Sequence, residues 1–118
     1  MPTIFRERGQ ALEAKYAHDE EFRFRANARR DKLFARWLAT TLRLSDDASA
    51  GLTAAVLAIP DGPGHDEAVL RHAAELASDH GVPSLENGLA AALERCALRA
   101  LKELADWRSD LAAELRAR

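Results

Sequence analysis

Apolar positions recur along this chain at helical spacing. From about residue 19 to 44, Phe22, Ala26, Leu33, Trp37 and Thr41 stand four, seven, four and four residues apart, with Phe34, Leu38 and Leu42 widening the stripe. Ser45, Asp46 and Asp47 then offer a cap, and Leu52, Ala55, Val56 and Ile59 mark a short helix over about 47–59. The stretch PDGPG (60–64) stops it, because two prolines and two glycines cannot continue a helix. Asp66 and Glu67 open a third helix, about 65–79, with the stripe Val69, Ala73, Leu76 and Ala77. Gly81 suits the residue just past its end, and Pro83 blocks continuation. Ser84 is placed to cap a fourth helix, about 84–116. Its stripe alternates steps of three and four through Leu89, Leu93, Cys96, Ala100, Leu104, Trp107, Leu111 and Leu115.

Four amphipathic helices joined by short connections favour antiparallel neighbours, so the expected fold is an all-α four-helix bundle with unequal helices. If the first and last helices lie antiparallel, Leu85 comes near Leu44 and the last helix reaches the start of the first near Asp110. Residues beyond that point then lie beside whatever precedes Asp19. That preceding segment, residues 1–18, carries only a thin stripe of Phe5, Leu12 and Tyr16, and Gly9 interrupts it at a cost of about 1 kcal/mol relative to alanine. It reads as a flexible N-terminal arm, frayed or disordered when free and helical when bound. The competing reading is a plain extension of the first helix, since no breaker precedes Asp19.

Composition agrees with helix. Apolar residues make up 47% of the 118 residues and aromatics only 6%, whereas strands draw on β-branched and aromatic side chains. Net charge is −2, which argues against the whole molecule being a polyanion binder. The charge is unevenly spread. Residues 1–44 hold 10 Lys/Arg and 6 Asp/Glu, while residues 45–118 hold 7 and 13. Either a basic face is offered to a partner, or the two halves attract each other within one bundle. A single cysteine, Cys96, forbids an intramolecular disulfide and fits a cytoplasmic setting. No apolar run approaches the ~20 residues that span a bilayer, so no direct membrane insertion is expected, and MPTIFRERGQ lacks the apolar core of a signal peptide.

Candidate chemistry is sparse. His65 and His72 are two turns apart, too far for one metal, and His72 and His80 fall on different faces; with His18 they read as exposed histidines near helix ends. Cys96 reads as a small buried apolar group. The acidic residues fall on polar faces, the DGPG loop lacks the pattern of a phosphate loop, and no catalytic or metal site is expected. Arg29, Arg30, Lys32 and Arg36 form a basic patch, but no aromatics interleave it for base stacking and Asp31 sits inside it. A nucleic-acid interface over Arg23–Arg36 is therefore disfavoured.

EAKYAHDEEFRFRANARRDKLFARW (13–37) resembles the zeta-subunit inhibitors of bacterial F-type ATP synthases. The resemblance rests on Glu13, Ala14, Lys15, Tyr16, Ala17, His18, Asp19, Glu20, Glu21, Phe24, Ala28, Arg29, Arg30, Lys32, Leu33 and Trp37 at unbroken spacing. It implies a non-enzymatic four-helix bundle whose arm enters a catalytic interface of the ATPase head and blocks hydrolysis. Phe5, Arg6, Arg8, Leu12, Glu13, Lys15 and Tyr16 would then contact that partner. His18, Asp19, Glu20, Glu21, Arg29 and Arg30 would form the junction between arm and bundle. The location implied is cytoplasmic, peripheral to the membrane-bound synthase. Weak adenine-nucleotide binding to the bundle is also implied, although no motif marks a site. A family member that kept the bundle and lost strong inhibition, serving as an interaction or nucleotide-sensing module, is the alternative. The chain departs from the family pattern at Gly9 and Gln10, where a charged helix-favouring run is usual. It departs again at Ala35, where glycine is common, and in the longer last helix.

Overall fold

The computed structural model describes residues 20–117, which are helical with no strand. The helices are α1 (Glu20–Thr41), α2 (Asp46–Leu57), α3 (His65–Asp79) and α4 (Glu86–Ala117), and a 3₁₀ turn over Pro83–Leu85 leads into α4. The arm expected over residues 1–18 lies outside the described residues.

Each boundary has a local cause. After α1, Arg43 adopts a left-handed conformation with φ 56°, and the Leu44 N–H donates to the Ala39 carbonyl at 2.9 Å. That six-residue bond, with Arg43 N–H to Thr40 O at 3.2 Å, closes the helix in a Schellman turn, so α1 stops short of the Leu44 end expected from its stripe. Ser45 caps α2 by accepting from the Ala48 N–H at 3.2 Å. Gly81, at φ 78°, ends α3 by the same device as Arg43, with Val82 N–H donating to Ala77 O at 2.8 Å. Ser84, expected as the cap of α4, lies instead within the 3₁₀ turn. Proline at the turn's first position and the Leu85 N–H donating to Val82 O start the chain winding before Glu86.

α1 is the central element, packing against both α2 and α4. Its middle is therefore buried on several sides: Leu33, Phe34, Ala35, Leu38 and Ala39 all lie inside. They meet Leu52 and Val56 of α2, Val69 and Ala73 of α3, and Leu89, Ala92 and Leu93 of α4 in one core. Ala55, expected on the α2 stripe, is exposed. Ala35, fully buried, is a small residue where α1 is most crowded. A second, smaller cluster joins Phe22 and Ala26 of α1 to Leu101 and Leu104 of α4. α1 and α4 are thus antiparallel, with the start of one beside the later turns of the other.

Candidate functional site

Of the residues expected to form a junction between arm and bundle, the described ones begin at Glu20. Glu20 and Glu21 are exposed in the first turn of α1, where their charge suits the positive end of the helix dipole. Glu21 pairs with Arg25 at 2.9 Å, an i,i+4 contact on a solvated face worth roughly 0.2–0.5 kcal/mol. The Arg25 guanidinium also sits 5.8 Å from the Trp107 ring centroid, and Arg108 sits 4.7 Å from that of Phe22. Two cation–π contacts therefore clamp the first two turns of α1 to the later turns of α4. Phe5, Arg6, Arg8, Leu12, Glu13, Lys15, Tyr16, His18 and Asp19, expected to contact the partner or form the junction, lie outside the described residues.

Arg29 and Arg30, adjacent in sequence, have separate roles. Arg29 is half-buried and donates from Nε to Glu103 on α4 at 2.8 Å. Glu103 also accepts from Arg99 at 3.0 Å. The hydrogen bond from Arg29 holds the Glu103 carboxyl below its usual range; partial burial opposes this, and Arg99 adds to it. Arg30 is buried, so it is not part of an exposed basic patch with Lys32 and Arg36. It donates to Asp31 at 3.0 Å and to Asp66 of α3 at 2.8 Å. Burial opposes its charge, but the hydrogen bond to Asp66 and the field of Asp31 outweigh that and raise its pKa.

Asp31 and His65 complete this group, and both correct the sequence-based expectation. Asp31, expected on a solvated face, is 3% exposed, and His65, expected at an exposed helix end, is 8% exposed. His65 Nε2 donates to Asp31 Oδ2 at 2.7 Å, and Nδ1 donates to the Pro60 carbonyl at 3.0 Å. Both neighbours are acceptors, so only the doubly protonated imidazolium satisfies both bonds. Burial alone lowers the His65 pKa and the charge of Arg30 lowers it further. The bonds to Asp31 and Pro60, with the Asp31 charge, overcome both and raise it. No buried side-chain polar atom in the described structure lacks a partner. The group Arg30–Asp31–His65–Asp66 is thus a polar strut, buried at Arg30, Asp31 and His65 and exposed at Asp66, that ties the PDGPG loop and the start of α3 to the middle of α1.

Other candidate chemistry is equally quiet. Cys96 is half-buried against the core, and burial raises its thiol pKa, which leaves it a poor nucleophile. Among the described residues no cluster of three metal-ligating side chains occurs, and no helix is long and apolar enough to cross a membrane. An open groove between α3 and α4 has Leu70, Ala74, Leu89 and Ala90 as its apolar lining, with Glu67, Glu75, Glu86 and Arg71 around them. Three carboxylates against one guanidinium disfavour a polyphosphate there.

Comparison with known proteins adds one match. A family model described as ATPase inhibitor subunit zeta matches residues 1–103. No curated protein and no solved structure matches the chain. The match spans the leading segment, α1, α2, α3 and α4 as far as Glu103, and it stops fourteen residues before the end of α4.

Proposed function

The chain belongs to the ATPase inhibitor subunit zeta family, and from that premise we propose that it restrains ATP hydrolysis by a rotary F-type ATP synthase. The bundle is a regulatory, non-enzymatic body. The inhibitory element is the segment before Glu20, inserted as a helix into a catalytic subunit interface of the ATPase head, and the protein is held there peripherally to the membrane. The observation that carries this reading is the extent of the family match, which includes the leading segment as well as the folded body.

The physical requirement is demanding. Ordering about 15 residues costs on the order of 1–2 kcal/mol each. Phe5, Leu12 and Tyr16 can return roughly 1.5–3 kcal/mol apiece if fully buried, and Arg6, Arg8, Glu13 and Lys15 would pair across the interface. The folded body supports this by fixing where the segment starts: the clamp of Phe22, Arg25, Trp107 and Arg108 anchors its C-terminal end. Nucleotide sensing, if the chain retains it, would act on the bundle rather than on this segment.

Purified protein added to the cognate ATPase tests the proposal. Hydrolysis should fall with increasing protein, and Leu12→Ala/Tyr16→Ala should lose that effect while its helical bundle stays folded. Undiminished hydrolysis at saturating wild-type protein overturns it.

A further inference from the structure

The last fourteen residues of α4 lie beyond the family match, which ends at residue 103, yet the helix runs to Ala117. Before that limit α4 has a partner along its inner face. Leu101 is buried and Leu104 is partly buried against Phe22 and Ala26. Leu115 follows Leu104 by eleven residues, about three helical turns, so it falls within roughly 20° of the same face. Leu115 is nevertheless 60% exposed, and Trp107 is 48% exposed. Arg108 lies over Phe22, two residues into α1, and α4 continues for about 13 Å past that level.

The chain itself supplies a candidate cover at this point, since the nineteen residues before Glu20 join α1 beside Arg108. The pairs Arg29–Glu103 and Phe22–Arg108 fix the antiparallel register. Carried back along the chain, that register sets Tyr16 level with Leu115. Covalent attachment makes the local concentration of this segment far higher than that of any free peptide.

Helix phase adds a constraint. In an unbroken helix Tyr16, six residues before Phe22, is turned about 120° from the face Phe22 presents to α4. Leu12 and Phe5 are turned by about 80° and 100°. A straight continuation of α1 therefore displays the stripe Phe5, Leu12 and Tyr16 away from α4. To bring Tyr16 onto Leu115 the helix has to break between Ala17 and Asp19.

We propose that the extension of α4 beyond residue 103 is a docking face for the chain's own leading segment, with Leu115 receiving Tyr16 and Trp107 bordering the exit of α1. The docked form is bent at residues 17–19 and hides part of the stripe. The straight form shows all of it to the partner. The extension thus competes with the ATPase for one segment and slows its engagement. This regulatory meaning rests on the inhibitory role proposed above, whereas the docking does not.

Amide hydrogen exchange on the isolated full chain and on its Leu115→Ser variant tests the docking without any ATPase. Leu115 is exposed, so the fold does not depend on it, and amides in residues 26–101 that exchange by local opening should be unchanged. Exchange of residues 12–17 should be about tenfold faster in the variant, as expected if roughly 90% of wild-type molecules are docked. Tyr16→Ala should reproduce the acceleration at its neighbours. Equal exchange in the two proteins overturns the proposal. So does wild-type protection that grows with protein concentration, which would assign the face to a second copy of the chain. With the cognate ATPase, Leu115→Ser should inhibit with faster onset than wild type. If neither protein inhibits, the inhibitory reading falls while the exchange result still decides the docking.

Discussion

Nε2 of His65, the first residue of α3, lies 2.7 Å from Oδ2 of Asp31 in the middle of α1. The bond joins elements 34 residues apart and is buried at both ends. Its strength depends on protonation, because the second ring nitrogen faces the Pro60 carbonyl and both bonds together require the imidazolium. The His65 pKa is raised in the fold, so its stabilisation is complete below the ordinary histidine value of about 6.5 and is lost as pH rises through the higher folded-state value. Thermal unfolding temperature should therefore fall as pH is raised above neutrality. His65→Gln should flatten that slope and lower stability at acidic pH by roughly 1.5–3 kcal/mol, the range for hydrogen bonds to charged groups. The same slope in both proteins would refute this account.

Asp31 bears more than His65 does. It accepts from His65 and Arg30, and its side chain is only 4% exposed. In Asp31→Ala, Arg30 keeps Asp66, but one face of a buried guanidinium and one nitrogen of a buried imidazole lose their partner. Removing one member of a buried ion pair costs about 3–5 kcal/mol. Denaturant unfolding should show a loss of that order, and Asp31→Ala/His65→Leu should recover part of it by removing the stranded imidazole. A loss below 1 kcal/mol, the scale of exposed pairs, would show the strut to be solvated.

The helices were legible from the sequence because their signals are local. Ser45 caps three residues away, Gly81 relieves a left-handed turn, and PDGPG breaks the chain wherever it stands. The strut was not legible, because its partners are distant. Asp31 between Arg30 and Lys32 has the local appearance of a solvated charge run, and nothing within a few residues announces His65. One signal was available. Leu33, Phe34, Ala35, Leu38 and Ala39 cover more than one face of α1, which marks a helix surrounded by neighbours, and Arg30 and Asp31 stand one turn before Phe34 and Ala35 on the same buried faces, whereas Lys32 does not. The start of α4 was misplaced for a related reason: Ser84 has the chemistry of a cap, but Pro83 had already begun a tighter turn. Phe5, Leu12 and Tyr16 are singled out through the resemblance alone, because they form too thin a stripe to indicate a partner.

Arg43 offers a test of backbone strain. It adopts φ 56° at the end of α1, in the role that Gly81 fills after α3. The left-handed region costs a residue with a Cβ roughly 1–2 kcal/mol, whereas glycine enters it freely but loses more conformational entropy on folding. The Arg43 side chain is exposed, so little packing is lost. Arg43→Gly should raise stability by about 0.5–1 kcal/mol. A lower unfolding temperature would mean that the arginine contributes through charge what its backbone costs.

Arg29 and Glu103 join the middle of α1 to α4 at 2.8 Å, with both side chains about one-third exposed. Screening limits such a pair to roughly 0.2–1 kcal/mol. A double-mutant cycle with Arg29→Ala and Glu103→Ala should return a coupling in that range at low salt, and a smaller one at 1 M salt. The Glu103 carboxyl is held low by Arg29, so its contribution is present above the ordinary carboxylate range and lost as pH falls through the depressed value. The pH trend is therefore opposite to that of His65, and acid should weaken the Arg29 contact. A coupling that strengthens with salt or acid would contradict the ionic reading.

Gly9 tests the inhibitory role within the leading segment. It lies between Phe5 and Leu12, within the segment proposed to become helical in the partner. Glycine inside a helix costs about 1 kcal/mol relative to alanine, and the free chain also samples more conformations when glycine is present. Both effects weaken binding that requires a helix and neither touches the folded body. Gly9→Ala should therefore leave the unfolding temperature unchanged and tighten inhibition of the cognate ATPase by about fivefold, the ratio that ~1 kcal/mol gives. Gly9→Pro should weaken it strongly, since proline in a helix interior costs about 3 kcal/mol. Equal inhibition by the alanine, proline and wild-type proteins would show that this part of the segment does not enter the partner as a helix.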